Sequence, residues 1–267
     1  VERANEERVL AYNSLLADLE SVPARFQPLA PEVLPEDGED PQQGLQYAKG
    51  QFFLEHMEKL FGREVFAAFL ADYFATFAWQ SVTTEMFLDY LDQNLLTVRP
   101  GIYRREQAEQ WLYEPGIPDD FEPPVSPVLK QAAAAAVGVA GGDILLEELD
   151  PQAWSPQATV NFINGLPRQM TTDTLAAVDA HFGLTESRNA EITRAWFIQV
   201  AARRHLPAYA AMEDYLSRHG RTRLIEPVYA ALVANGQDRD LALNLFQERQ
   251  GRYHPLTNGA ISSLFEP

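Results

Sequence analysis

The sequence predicts an all-α fold, and three observations support this prediction. Apolar residues recur at helical spacing in nearly every segment between glycine and proline residues, and the alternation typical of strands is weak throughout. A hydrophobic content of 46% over 267 residues is enough to bury a sizeable core. We therefore expect one large domain or two ordinary domains built from helices.

The first half of the chain contains several predicted core helices. ERANEERVLAYNSLLADLE is polar and helix-forming, and a loop rich in proline and acidic residues follows it. In LQYAKGQFFLEHMEKLFG the helix ends at Gly62, a normal C-terminal stop. The helical period places five of its residues on one face that we expect in the core: Tyr47, Gly50, Leu54, Met57 and Phe61. An aromatic stripe in EVFAAFLADYFATF and threonine caps in SVTTEMFLDYLDQNL predict two more core helices.

Five prolines between Pro115 and Pro127 mark a boundary, because proline fixes φ and cannot donate a backbone hydrogen bond. We predict a linker at 114–127. It would join a first part, residues 1–113, to a second part, residues 128–267.

The second part is a succession of predicted helices separated by single glycine or proline residues. Ser155-Pro156 and Thr172 have the composition of helix starts. One helix and turn takes about 15 to 20 residues, a spacing typical of antiparallel helix pairs. The second part is therefore predicted to be a short solenoid of the HEAT or armadillo kind.

The charge of the chain excludes several classes of partner. It has 38 Asp and Glu against 21 Lys and Arg, a net charge of −17, which repels nucleic acid and acidic membrane surfaces. No apolar run approaches the roughly 18 to 20 residues that cross a bilayer. The absence of cysteine excludes disulfides, thiolate metal sites and cysteine nucleophiles. The sequence leaves the compartment open and favours the cytoplasm.

One basic stretch, LSRHGRTRLIEP at 216–227, stands out in this acidic chain. It places three arginines and a histidine in six consecutive positions, and the arginine fork matches carboxylate or phosphate. Gly220 is expected to end a helix, so that Arg221 and Arg223 would alternate along an extended connection and point the same way. A small anion is the predicted ligand. The alternative, that these arginines cap carbonyls or pair with the excess acids, stays open.

The five histidines predict no metal centre. They form no HExxH pair, and their spacing offers no set of three zinc ligands. His56, beside Glu55 and Glu58, is expected to be an ordinary surface or half-buried histidine. AAAAAVGVAGG lacks both the GxGxxG spacing and a preceding strand, so we predict an alanine-rich helix with a glycine end rather than a nucleotide site.

Six stretches in order resemble one known family. They are LQYAKGQFFLE, SVTTEMFLDYL, WLYEPGIP, AEITRAWFIQV, HGRTRLIEPVYAAL and YHPLT. From the first of them to the C-terminus the chain resembles the zinc aminopeptidases typified by leukotriene A4 hydrolase. The resemblance implies a parent enzyme with an N-terminal β domain, a thermolysin-like catalytic domain and a C-terminal helical domain. This chain would be the helical second half of the catalytic domain followed by the C-terminal domain.

The resemblance also implies where the zinc ligands lie. The family's HExxH motif and its glutamate ligand would precede Val1, in the missing N-terminal part of the parent. Zinc is therefore expected in the parent enzyme, and the chain by itself is expected to bind none and to be inactive.

Three residues of this chain match functional positions of the family. Tyr47 matches the tyrosine that hydrogen-bonds the developing oxyanion, whereas by its sequence context alone it would more often be structural. Arg221 and Arg223 match the GRxK-like segment that binds a substrate carboxylate, with Arg in place of Lys. The implied activity is release of N-terminal residues from short peptides with a free C-terminal carboxylate.

Two other readings remain beside the peptidase. The loop EDGEDPQQGLQY has acidic residues but no tyrosine at the family's second tyrosine position, so the resemblance favours a peptidase over an epoxide hydrolase. The alternative from another class is a helical-repeat interaction module, in which Arg221 and its neighbours bind an acidic partner.

Overall fold

A computed structural model of the chain describes residues 2–37, 42 and 44–266. The described residues form helices and connecting turns and contain no strand, so the all-α prediction is confirmed. The helices of the first half are α1 (Glu2–Ser21), α2 (Leu45–Phe61), α3 (Arg63–Thr76), α4 (Thr84–Leu91) and α5 (Arg105–Tyr113). Those of the second half are α6 (Pro127–Gly141), α7 (Pro156–Gly165), α8 (Thr172–Phe182), α9 (Ala190–Arg203), α10 (Tyr209–Arg218), α11 (Thr222–Ala234), α12 (Arg239–Arg249) and α13 (Pro255–Ser262).

The chain divides into two compact units. The N-terminal unit runs from Glu7 to Val125, and the C-terminal unit contains the residues from Ser126 onward together with those up to Glu6. The first turn of α1 is thus grouped with residues that follow it by more than a hundred positions.

The core of the N-terminal unit surrounds α2. The buried residues of this helix are Leu45, Lys49, Phe52, Phe53, His56, Met57 and Phe61. The predicted core face of α2 is therefore wrong in part, because Tyr47 is 79% exposed and Leu54 is 37% exposed. The helix is rotated so that Lys49 faces inward, where buried carbonyl groups accept its hydrogen bonds.

His56 is also more buried than the sequence predicts, at 6% exposure. Its ring makes edge-to-face contacts with Tyr103 and Phe121 and a tilted contact with Trp111. Burial lowers the pKa of His56 below its ordinary value, so that the neutral ring is favoured in this aromatic setting. It is a core residue of the N-terminal unit.

The C-terminal unit is a row of packed helices. α7 packs between α6 and α9, and α11 packs between α9 and α13, while α10 lies against α9 and α12 against α11. Helix pairs stacked in this way are what the predicted solenoid requires. The predicted starts at Ser155-Pro156 and Thr172 coincide with the beginnings of α7 and α8.

Two serine caps connect this row to the start of α1. Ser126 caps α6 by accepting the Leu129 N–H, and its hydroxyl donates to the carboxylate of Glu2 at 3.2 Å. Ser155 caps α7 and donates in the same way to the carboxylate of Glu6, which is 3% exposed. Carboxylates at helix N-termini are favourably placed for the helix dipole, so these contacts hold the first turn of α1 in the C-terminal unit.

Candidate functional site

Tyr47 lies in the first turn of α2 and faces solvent. The helix starts after Gly44, whose φ of 83° is left-handed and suits glycine, and the Tyr47 N–H donates to the Gly44 carbonyl at 3.1 Å. The phenol ring is 79% exposed, and within the described residues its hydroxyl has no hydrogen-bond partner. The hydroxyl is thus available to an external acceptor.

A buried lysine anchors the helix that carries Tyr47. Lys49 is fully buried, and its ammonium donates to the carbonyl oxygens of Gln27 at 3.1 Å and Glu114 at 2.8 Å. These acceptors belong to the connection after α1 and to the end of α5. Burial lowers the pKa of Lys49 to about 8, and the charge of Glu114 offsets this only in part.

Gln27 extends this anchor to α1. Its side-chain amide donates to the carbonyls of Leu19 and Val22 at 2.9 and 2.8 Å, while its side-chain oxygen accepts the Gly116 N–H at 3.0 Å. The start of α2 is therefore fixed by three separate segments of the N-terminal unit. Sequence reasoning did not identify Lys49, although a lysine inside the apolar run YAKGQFF was the available signal.

The acidic loop before Tyr47 lies largely outside the described residues. Of the stretch EDGEDPQQG, residues 38–41 and 43 are not described. The expectation that this loop lacks a second functional tyrosine rests on the sequence alone.

The basic stretch forms the junction between α10 and α11. α10 ends at Arg218, and Arg221 is the N-terminal capping residue of α11, with an extended backbone at φ −80° and ψ 127°. Arg223 lies within the first turn of α11. The predicted alternation of Arg221 and Arg223 along an extended connection is therefore wrong, because the helix begins between them at Thr222.

Arg223 is held by an ion-pair network. Its guanidinium lies 2.7 Å from one carboxylate oxygen of Glu191, and Arg194 lies 3.3 Å from the other. Arg194 also donates to the carbonyl oxygen of Arg223 at 3.4 Å. Pro227, four residues after Arg223, has no N–H for that carbonyl, so Arg194 replaces the missing helical bond.

Arg221 differs from Arg223 in its surroundings. Its side chain is exposed, and within the described part of the chain it makes no ion pair or hydrogen bond. The alternative prediction is that these arginines pair with acidic residues of the chain. Within the described residues it holds for Arg223 and not for Arg221. Of the two, Arg221 has the guanidinium that is free for an external anion.

A cleft of about 450 Å³ opens within the C-terminal unit, next to this junction. It is bounded by the loop that precedes α9, by the first turns of α9 and by the last turns of α10, and His219 of the junction lines it. Arg188 and Arg218 add positive charge at its walls, and Asp214 pairs with Arg218 at 2.5 Å. Neither Arg221 nor Arg223 lines this cleft.

The described residues contain no group of three or more His, Asp or Glu side chains that could hold a metal ion. They do not fit a zinc site. Within the same residues, no helix has the length and apolar character needed to span a membrane.

Comparison with known proteins identifies two parts of the chain. A family model for the peptidase family M1 domain matches residues 20–102, which include Tyr47. A second model, for the C-terminal part of leukotriene A4 hydrolase, matches residues 154–265, which include Arg221 and Arg223.

Curated relatives match across most of the chain. Leucine aminopeptidase 2 of Lodderomyces elongisporus is 30% identical over 252 residues, covering 85% of this chain and 38% of the relative. Leucine aminopeptidase 2 of Emericella nidulans is 27% identical over 246 residues, covering 88% and 39%. The leukotriene A-4 hydrolase homolog of Botryotinia fuckeliana is 25% identical over 240 residues, covering 86% and 36%. The chain thus spans about two fifths of the length of these relatives.

A solved structure shows the same fold. Native yeast leukotriene A4 hydrolase aligns with a TM-score of 0.79 at 23% identity, over 100% of this chain and 46% of the yeast chain. The two family models together match 195 of the 267 residues, 83 in the first range and 112 in the second. The chain belongs to the M1 peptidase family, in the branch whose C-terminal domain is that of leukotriene A4 hydrolase.

Proposed function

We propose that this chain is the C-terminal part of a zinc aminopeptidase that releases N-terminal residues from short peptides. The observation that carries the proposal is the order of the two family matches, with Tyr47 in the first and Arg221 in the second. Residues 1–113 would complete the catalytic domain, and 128–267 would form the helical domain after a linker at 114–127. The curated relatives named leucine aminopeptidase 2 support this activity.

Tyr47 is proposed as the catalytic residue of this part. In peptide hydrolysis, negative charge develops on the carbonyl oxygen of the scissile bond, and a fixed hydroxyl donor stabilises that charge. The exposed, unpartnered phenol on an anchored helix start suits such a donor. Lys49 and Gln27 supply the anchoring, since together they tie the first turns of α2 to α1, to the connection after α1 and to the end of α5.

Arg221 is proposed to bind the free C-terminal carboxylate of the substrate. An arginine without a partner of its own can form a charge-assisted pair with an incoming carboxylate. Arg223 would act more weakly, because Glu191 already neutralises part of its charge. Ligands for zinc would have to come from residues outside those described, and the metal would supply Lewis-acid polarisation of the scissile carbonyl.

The test of this function is Tyr47→Phe in the full-length enzyme, assayed with an aminoacyl substrate. Loss of one oxyanion donor typically lowers turnover by about 10²–10³, with a much smaller change in KM. Tyr113→Phe is the matched control, because Tyr113 is also exposed in the N-terminal unit and its hydroxyl donates to the carboxylate of Glu85 at 3.5 Å. A turnover number for the Tyr47 variant close to that of the control would contradict the proposed role.

A further inference from the structure

Helix α13 forms hydrogen bonds to the α10–α11 junction that carries Arg221. Thr257, in the first turn of α13, is 2% exposed, and its hydroxyl donates to the carbonyl oxygen of Gly220 at 3.3 Å. The same hydroxyl lies 2.7 Å from the hydroxyl of Thr222. A hydroxyl has a single proton, so Thr222 must be the donor to Thr257. The result is a relay from Thr222 through Thr257 to the Gly220 carbonyl.

A second relay of hydroxyl groups ends at the carbonyl oxygen of Leu216, four residues before Gly220. Tyr253 donates to the carbonyl oxygen of Leu216 at 3.0 Å, and its hydroxyl lies 3.2 Å from that of Tyr229. Both tyrosines are buried. Leu216 is among the last residues of α10, whose carbonyls lack helical partners and need other donors. The motif YHPLT therefore fixes the backbone of the basic stretch 216–227 at two points, at Leu216 through Tyr253 and at Gly220 through Thr257.

These bonds determine the direction of Arg221. The Gly220 carbonyl and the Arg221 N–H belong to one planar peptide unit, so fixing the carbonyl fixes the plane before Arg221. The plane after it is fixed as well, because the Arg221 carbonyl accepts the N–H groups of Leu224 and Ile225 at 2.9 and 3.2 Å. Since the Arg221 side chain has no partner within the described residues, its direction depends on this backbone.

We propose that Thr257 is a positioning residue, which holds Arg221 in the direction that receives a substrate carboxylate. The inference rests on the proposed function of Arg221. Without the Thr257 hydroxyl, the Gly220 carbonyl and the Thr222 hydroxyl lose their partner, and the peptide plane before Arg221 can turn. The arginine then has to be ordered when the carboxylate binds, which weakens recognition of the carboxylate and not of the rest of the peptide.

The test compares Thr257→Val and Thr257→Ser in the full-length enzyme. Each is assayed with one peptide in two forms, with a free and with an amidated C-terminus. Thr257→Val should lower kcat/KM for the free peptide about tenfold, mainly through KM, with the amidated form within about twofold. Thr257→Ser keeps the hydroxyl and should restore the ratio of free to amidated substrate.

Two controls separate positioning from general damage. Thr159→Val makes the same change at a buried threonine of the C-terminal unit, whose hydroxyl donates to the Ser155 carbonyl at 3.1 Å, and it should leave the ratio unchanged. Arg221→Ala is assayed in parallel. If it leaves the ratio unchanged, both carboxylate recognition by Arg221 and the role of Thr257 are wrong.

If Arg221→Ala lowers the ratio and Thr257→Val does not, only the role of Thr257 is wrong. The same conclusion holds if Thr257→Val impairs both substrate forms equally. Should Thr257→Val fail to fold, as judged by circular dichroism, Thr222→Val takes its place. Thr222 is only half-buried, and its replacement removes the other hydroxyl of the relay.

Discussion

Arg194 donates a hydrogen bond to the carbonyl oxygen of Arg223 at 3.4 Å, across 29 positions of the sequence. That carbonyl would normally accept the N–H of residue 227, but residue 227 is a proline inside α11. The guanidinium of Arg194 thus supplies the hydrogen bond that α11 lacks because of Pro227. Glu191 completes the arrangement by pairing with both arginines.

This relationship predicts coupling between Arg194 and Pro227. Arg194→Met should lower the free energy of unfolding by about 1 kcal/mol, because the bond is charge-assisted but the side chain is partly exposed. In a Pro227→Ala background the alanine N–H can bond the Arg223 carbonyl, and the effect of Arg194→Met should shrink by about half. Denaturant unfolding of the four proteins gives the coupling.

Arg218→Met is the control for this cycle. Arg218 pairs with Asp214 on the exposed surface of α10 and should not couple to Pro227. An effect of Arg194→Met that is the same with proline and with alanine at 227 would show that Arg194 acts only through Glu191.

The two junction arginines should differ in carboxylate recognition. In the full-length enzyme, Arg221→Ala should cost about 1.5–3 kcal/mol in kcat/KM for free peptides and much less for amidated ones, as expected for loss of a charge-assisted pair. Arg223→Ala should change the ratio less, because Glu191 already binds Arg223. Arg218→Ala, three residues before Arg221, tests whether any nearby positive charge has the same effect. Equal ratios for all three variants and the wild type would favour an arginine-rich surface without a carboxylate site.

Burial of Lys49 predicts a pH dependence of stability. Its pKa is lowered from 10.5 to about 8 in the folded chain, so between these values the unfolded chain binds more protons and stability rises with pH. The stability of the wild type relative to Lys49→Met should therefore increase between pH 7.5 and pH 10, by about 3 kcal/mol at most. Urea unfolding at the two pH values measures this difference.

The exposed Lys130 provides the control for this experiment. Lys130→Met should leave the difference from wild type nearly independent of pH over the same range. A wild-type advantage that falls or stays constant from pH 7.5 to pH 10 in the Lys49 comparison would mean that the Lys49 ammonium is not desolvated in the folded chain.

That the chain alone does not bind zinc tightly stays a prediction, which metal analysis can check. The described residues offer no set of three ligands, so the purified chain should hold far less than one equivalent of zinc after dialysis. Stoichiometric zinc, lost when a histidine such as His254 is replaced, would contradict it. His254 is a suitable choice because it is exposed, and its Nδ1 accepts the Leu256 N–H at 3.2 Å.

The sequence by itself determined the all-α class and the positions of several helix ends. These features depend on local chemistry, namely capping serines and threonines, the glycines that end helices, and the period of apolar residues. Ser155 and Gly62 are examples, since each caps a helix where the sequence predicts one. The candidate site residues Tyr47 and Arg221 came instead from the resemblance of the motifs around them to the family.

Tertiary structure decided which side of each helix became the core and which arginine stayed free. Lys49 can be buried because carbonyl oxygens 22 and 65 positions away accept hydrogen bonds from its ammonium group. No local sequence pattern contains that information. Arg223 is paired and Arg221 is not because Glu191, on α9, lies within reach of only one of them. Periodicity describes how residues repeat along one helix, whereas these outcomes depend on polar groups that other segments bring into contact.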